Sequence, residues 1–326
     1  MARSGRGLPA AITLFFVAPF VAEYLLGDLS LKLLPALVLM APMYGGGALL
    51  IREVVRQKGR GWPTILCLGA AYALLEEGLV TQSLFNPDYL RLHAHFLAPA
   101  HIAWLGMGGW WTMLMLNLHT FWSIGVSIAL VEGLWPERGR EPWLGKVGET
   151  VFVVLFVLGV VANTLLGYKQ NHFWASPAQL VGAAVLCVLL VVVAFVTPAG
   201  MAKREGAVAS PWATGVATLI LALLFELVFP RWGWGAVAVM AAIDAIFLAL
   251  VFVLARRTGW TRLHVFSLAA GGAVAYGVHA FRQHAFGGGV VLSRVGNAVF
   301  LAIAIVLIVM GAGRTVRSMA TPDAAA

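Results

Sequence analysis

Charge is what this sequence has least of. Only 11% of its 326 residues are Asp, Glu, Lys or Arg, while 61% are hydrophobic. A soluble domain of this length needs far more polar surface, so that class is excluded. Cysteine is nearly absent. Cys67 and Cys187 both fall in apolar segments, where they read as small core residues and carry no information on redox compartment. There is no phosphate loop, no dinucleotide fingerprint, no HEXXH helix and no GxSxG elbow, which removes several enzyme classes.

What the chain does have is apolar runs of about 20 residues, recurring from end to end, the mark of transmembrane helices. The expected fold is all-α: a polytopic integral membrane protein with about ten transmembrane helices. These are read near 8–26, 33–54, 63–85, 108–134, 149–168, 178–198, 211–230, 235–255, 264–284 and 290–312. They make up a single transmembrane helical domain, 1–320, followed by a disordered Ala-rich tail, 321–326. Arg3 and Arg6 ahead of the first apolar run resemble a signal peptide. Glu23 and the immediate succession of further spans favour an uncleaved first helix.

The net charge of +8 has a simpler origin than nucleic-acid binding. With the N-terminus inside, the alternation of ten spans puts 16 of the 22 Lys and Arg on the cytoplasmic side. Both termini are then cytoplasmic, and the expected setting is the cell membrane, multi-pass, of the bacterial inner-membrane kind. The bilayer is the expected partner, and no nucleic acid is.

Histidine has the opposite bias. His93, His95, His101, His119, His172, His279 and His284 fall in the outer half or outer loops, leaving only His264 inside. The outer half reads as the working side. The longest outer connection, 86–107, is expected to pack as a re-entrant piece or lid. Within it His93-Ala-His95, with His101, is a weak zinc pattern that lacks a carboxylate or cysteine partner, so a solvated loop is the better reading. Tyr44-Gly-Gly-Gly-Ala in the second span permits close helix contact. Five spans per half would invert the second half against the first, but no matching motifs connect them.

The chemistry concentrates in Tyr72-Ala-Leu-Leu-Glu76-Glu77-Gly-Leu-Val-Thr81-Gln-Ser83, which sets two adjacent carboxylates inside an apolar span. A charge at that depth costs at least ~2.5–3.5 kcal/mol on insertion scales, so a pair of them implies a use. At α-helical spacing Tyr72, Glu76 and Ser83 share one face, while Glu77 and Thr81 share the next. Two close carboxylates resist ionising together, which suits one of them to acid–base work. On the following span Thr112, His119, Ser123 and Ser127 form a stripe, and antiparallel packing brings His119 to the depth of Glu76. Asn163 and His172 are further candidates around the fifth span. Tyr276, His279 and Gln283 share a face of the ninth, near Arg282. No cofactor follows from these residues, and a metal remains open.

The glutamate pair with the downstream histidine resembles the CPBP family of membrane proteins, which includes the CAAX prenyl proteases and bacteriocin-processing proteins. That family's pattern is Glu-Glu followed by Arg, then Phe-x-x-x-His, then His-x-x-x-Asn. Glu76-Glu77 and His119 match, and His172 lies in the right order. Thr81 stands in the place of the arginine, Met115 of the phenylalanine and Ser176 of the asparagine. The resemblance covers 63–180 and implies a glutamate that activates water against a peptide carbonyl. His119, with His172 or Asn163, would orient that water or stabilise the oxyanion. The outward depth of the pair argues against prenyl processing at the cytoplasmic face. Three functions follow as expectations: a glutamate- and histidine-dependent peptidase acting on a membrane peptide, a proton-coupled secondary transporter, and a non-catalytic membrane protein that binds a lipid or a partner protein.

Overall fold

The computed structural model describes residues 7–198 and 202–320. Ten helices follow one another: α1 (Leu8–Leu25), α2 (Ala36–Gln57), α3 (Trp62–Val80), α4 (Gly109–Leu134), α5 (Lys146–Asn171), α6 (Pro177–Val196), α7 (Pro211–Glu226), α8 (Trp234–Ala255), α9 (Arg262–Arg282) and α10 (Val290–Ala320). All of them except α7 are long and apolar enough to cross a membrane, among the described residues. The all-α polytopic fold read from the sequence is therefore the observed one. α7 has 16 residues, about 24 Å at 1.5 Å per residue. It was expected to run to 230, but it stops at Glu226 because Pro230 bars the residues before it from helical geometry and starts a separate turn. The tail 321–326, Arg3 and Arg6 lie outside the described residues.

The helices divide by what surrounds them. α4 is the axis of the bundle, with 83% of its apolar window buried, and α1, α2, α3 and α9 pack around it. α5, α6 and α8 are only 11%, 11% and 6% buried and present Val, Leu and Phe outward, which is tolerable only against lipid. The Gly-Gly-Gly of α2 explains how the inner helices come so close. A Cβ on Gly45 would lie 2.0 Å from the Phe15 carbonyl oxygen of α1, and one on Gly47 would lie 2.4 Å from the Tyr72 ring of α3.

Three helices are not α-helical throughout. α1 widens into a π-helix over Phe20–Leu25, α3 over Leu75–Val80 and α4 over Leu118–Val126. In a π-helix the hydrogen bond runs one residue further back, which swings side chains off their α-helical faces. The bonds of the Thr81, Ser123 and Ser127 hydroxyls to the carbonyls of Glu76, Leu118 and Trp122 reach back five residues. The stripe of Thr112, His119, Ser123 and Ser127, drawn at α-helical spacing, is therefore broken by an extra residue per turn. α3 also ends at Val80, short of the expected 85, because Gln82 turns left-handed at φ 56° and its side chain accepts from the Ala175 N–H at 2.7 Å.

The two ends of the bundle differ in kind. At one end Arg52, wholly buried, donates to Glu53 at 2.7 Å and to Glu132 at 3.0 Å, with its guanidinium 3.3 Å above the Trp143 ring. Arg56 adds a 2.7 Å bond to Glu132. Arg60 donates to the last carbonyls of α6 and Arg314 to the Leu134 carbonyl, where positive charge complements a helix C-terminus. Basic residues expected as topological anchors thus also tie loops to helix ends. At the opposite end the long connection after α3 folds back as a short hairpin, His101–Ile102 with Met107–Gly108. Leu97 buries itself there with Trp111 and Ala175, while Phe96 stacks on Trp111 at 4.1 Å. His93, His95 and His101 stay exposed, and His93 pairs with Asp88 at 3.0 Å.

Glu53 accepts from the Trp143 and Leu144 N–H groups as well as from Arg52, so it joins α2 to the loop ahead of α5. Glu53→Ala strips Arg52 of its shortest partner and leaves two buried N–H groups bare, at a cost of about 3–5 kcal/mol. Thermal unfolding of the detergent-purified variant, followed by tryptophan fluorescence, should show a markedly lower midpoint. An unchanged midpoint would contradict this reading of the network.

Candidate functional site: a buried carboxylate–histidine cluster

Each π-helical stretch carries part of one polar cluster. Glu76 and Glu77 belong to that of α3, His119 to that of α4 and Glu23 to that of α1. In an undistorted α-helix adjacent glutamates point about 100° apart. Here both reach the same imidazole. His119 Nε2 lies 2.7 Å from Glu77 Oε1, and Nδ1 lies 3.1 Å from Glu76 Oε2. Glu76, Glu77 and His119 are 1%, 4% and 6% exposed.

The two carboxylates hold different positions. Glu77 is the better satisfied: besides His119 it accepts from Ser83 Oγ, and it shares the one proton of Thr81 Oγ1, 3.1 Å away, with the Glu76 carbonyl. Trp111 Nε1 in turn donates to Ser83 Oγ at 3.3 Å. The hydroxyl of Thr81, one turn on from Glu77, therefore engages its carboxylate. Glu76 is not saturated. Its Oε2 stands at ion-pair distance from Nδ1, and no well-formed hydrogen bond completes it among the described residues. Ser123 Oγ is the better-aligned neighbour of Nδ1, at 3.2 Å. Where His119 donates through Nε2 to Glu77, Nδ1 either carries a second proton toward Glu76 or accepts one from Ser123 Oγ or from Glu76, since two bare lone pairs at 3.1 Å would repel. The geometry thus sets a ring nitrogen that can give or take a proton beside a carboxylate oxygen with spare capacity.

Aromatic rings close the site. Tyr44 and Tyr72 flank His119 with ring centroids 5.9 and 6.4 Å away. The Tyr44 hydroxyl donates to Glu23 Oε1 at 2.5 Å, whereas the buried Tyr72 hydroxyl lies beside the Glu76 carboxylate and completes no well-formed hydrogen bond among the described residues. Glu23 and Tyr44 are the members that sequence reasoning missed. The signal was a single carboxylate in the first apolar run and a tyrosine next to three glycines. Nothing in either segment says that the two lie against α3 and α4.

Asn163 and His172 stand elsewhere. Asn163 is half-buried on α5 and bonds back to the Gly159 carbonyl at 2.8 Å. His172 is exposed in a left-handed C-cap, φ 51°, with its ring edge-on to Tyr168. The structure brings Glu76, Glu77 and His119 together and leaves these two out. The residues of the ninth span form a second polar group. His279 Nδ1 lies 3.7 Å from Glu226 Oε2, Gln283 Nε2 is 2.8 Å from His279 Nε2, and Glu226 Oε1 is buried without a partner. Tyr276 stacks on Trp122 at 4.5 Å with Glu226 the strongest of the charges acting on it, while Arg282 is exposed over the Phe229 ring.

One ligand atom from each of Glu76, Glu77 and His119 falls within 4.8 Å of the others, so these three could hold a divalent cation. Two carboxylates and an imidazole leave a fourth position open, as catalytic zinc sites require.

The asymmetry of the pair has a measurable consequence. Glu77→Gln loses acceptor capacity toward two hydroxyls and an imidazole and should lower the unfolding midpoint clearly, by about 2–4 kcal/mol. Glu76→Gln, at an oxygen with no completed hydrogen bond, should leave the midpoint within about 1 kcal/mol or raise it. Equal losses in the two variants would contradict the assignment.

Residues 12–325 match the sequence model described as an uncharacterized membrane protein family. No curated protein and no solved structure matches the chain. Over nearly its whole length, then, the sequence places this chain in that uncharacterized membrane protein family.

Proposed function

We propose that this membrane protein is an intramembrane hydrolase of the peptidase type, similar in plan to the CPBP proteins, with Glu76 as its base. One observation carries the reading: a fully buried carboxylate oxygen, Glu76 Oε2, stands 3.1 Å from a histidine nitrogen, with the Tyr44 and Tyr72 hydroxyls nearby, and completes no well-formed hydrogen bond among the described residues. An intramembrane carboxylate left unsatisfied is costly, and its upkeep points to a ligand that completes it. Water is the simplest such ligand.

In the proposed reaction Glu76 takes a proton from that water and the hydroxide adds to the carbonyl carbon of a membrane-embedded peptide. The Tyr72 hydroxyl and the His119 N–H stabilise the oxyanion. The proton passes to the leaving amine as the C–N bond breaks. Glu77 holds the imidazole in register and does not exchange protons, since its oxygens are engaged by His119, Thr81 and Ser83. Beyond Met115 in the place of the phenylalanine, this version differs from the CPBP pattern around the cluster itself. Hydroxyls stand in for the arginine, and Glu23 with Tyr44 takes the side of the cluster where His172 and Asn163 were expected. In this reading the protein sits in the cell membrane with both termini in the cytoplasm, as the bias of Lys and Arg favours, so that the cluster lies nearer the outer face.

A proton-coupled carrier is the second reading. The paired groups Glu23–Tyr44 and Glu226–His279–Gln283, each with a buried carboxylate, favour it. One preparation separates the two. In proteoliposomes loaded with quenched-fluorescent transmembrane peptides, the peptidase reading predicts cleavage that falls at least 100-fold in Glu76→Gln and in His119→Asn. Cleavage that survives Glu76→Gln, or none in the native protein, overturns it. A pH-gradient-driven solute flux without cleavage supports the carrier instead.

A further inference from the structure

Away from the carboxylate–histidine cluster, a cavity of about 890 Å³ lies between α3, α4, α7, α8 and α9. None of Glu76, Glu77 and His119 lines it. Its wall is almost wholly apolar and rich in aromatic rings, including Trp62, Phe121, Trp122, Phe247 and Trp260. Set into that wall is a single charged residue, Asp244, midway along α8. α8 is the helix most exposed to lipid, with 6% of its apolar window buried, and it packs on α4 and α7. Nothing about such a helix calls for a carboxylate. Among the described residues Asp244 forms no salt bridge and no Lys or Arg lines the cavity, so no cation of the protein balances it. Its polar neighbour is Asn117, whose amide also donates to the Met113 carbonyl at 2.8 Å.

We infer that this cavity binds a lipophilic cation: one positive charge on an apolar, ring-sized body that enters from the bilayer. The carboxylate supplies the charge complement at bilayer depth, where ionisable residues face cavities and mark ligand paths. The aromatic faces supply cation–π attraction, which is strongest when the cation is desolvated. The volume falls within the 300–1,000 Å³ of small-molecule sites, and wall chemistry of many apolar groups around few polar ones is what such sites share. A neutral acyl chain would fill the same space without using Asp244, and an anion would be repelled by it.

Tetraphenylphosphonium and tetraphenylborate have nearly the same shape and opposite charge, so they isolate the role of Asp244. Equilibrium dialysis of the full-length protein in nanodiscs should show saturable binding of the phosphonium and none of the borate. Asp244→Asn should weaken phosphonium binding about tenfold or more, and Asp244→Glu should restore most of it. Both variants should keep the native unfolding midpoint, since Asp244 makes no ion pair. Saturable borate binding, absence of phosphonium binding to the native protein, or equal affinity in Asp244→Asn would each overturn the inference. The native-protein comparison of the two ions stands even if a variant fails to fold.

Discussion

The structure depends on keeping one imidazole between two carboxylates in a place where none of them should be. A single ionised side chain at the centre of a bilayer costs several kcal/mol, and its cost falls only when partners stand at hydrogen-bond distance. Glu77 meets that condition through His119, Thr81 and Ser83. An undistorted α-helix points two consecutive glutamates about 100° apart, and the chain adopts π-helical geometry in α1, α3 and α4 at the residues that build the cluster. Single π-helical turns are rare and gather at functional sites. Three of them converging on one histidine make a strong case that the distortion serves the cluster.

The packing around the cluster follows from the same constraint. Glycine in α2 lets α1 and α3 approach until Tyr44 can reach Glu23 and Tyr72 can cover His119. At the far end the buried Arg52–Glu53–Glu132 network fixes α2 and α4 against the loop that carries Trp143. The inner helices are held at both ends by polar contacts, whereas α5, α6 and α8 meet mainly lipid. Asp244 is the exception on that lipid-facing layer, and it opens onto a cavity rather than onto the cluster.

Much of this was legible in the sequence, and the physical reasons mark where legibility stops. Twenty-residue apolar runs fix helix number because the bilayer has a fixed thickness. The expense of a buried charge singles out Glu76, Glu77 and His119 before any contact is known. Helix geometry beyond the regular period is not legible: nothing in Leu118–Val126 announces a π-helix, and the stripe drawn through Ser123 and Ser127 assumed an α-helical turn. Long-range partners are equally hidden. Glu23 lies in α1 and Tyr44 in α2, and only their packing against α3 and α4 shows that they belong to the cluster. His172 followed from sequence order within a family pattern, and an exposed left-handed helix cap holds it outside the site.

The central claim is that His119 is held by two carboxylates with unequal parts, one anchored and one poised. Nitrogen NMR of the protein carrying ¹⁵N-labelled histidine, with His119 assigned through its asparagine variant, reads both ring nitrogens directly. The account predicts two engaged nitrogens, one shifted by Glu77→Gln alone and the other by Glu76→Gln alone. A ring with one bare nitrogen that responds to neither substitution would contradict it.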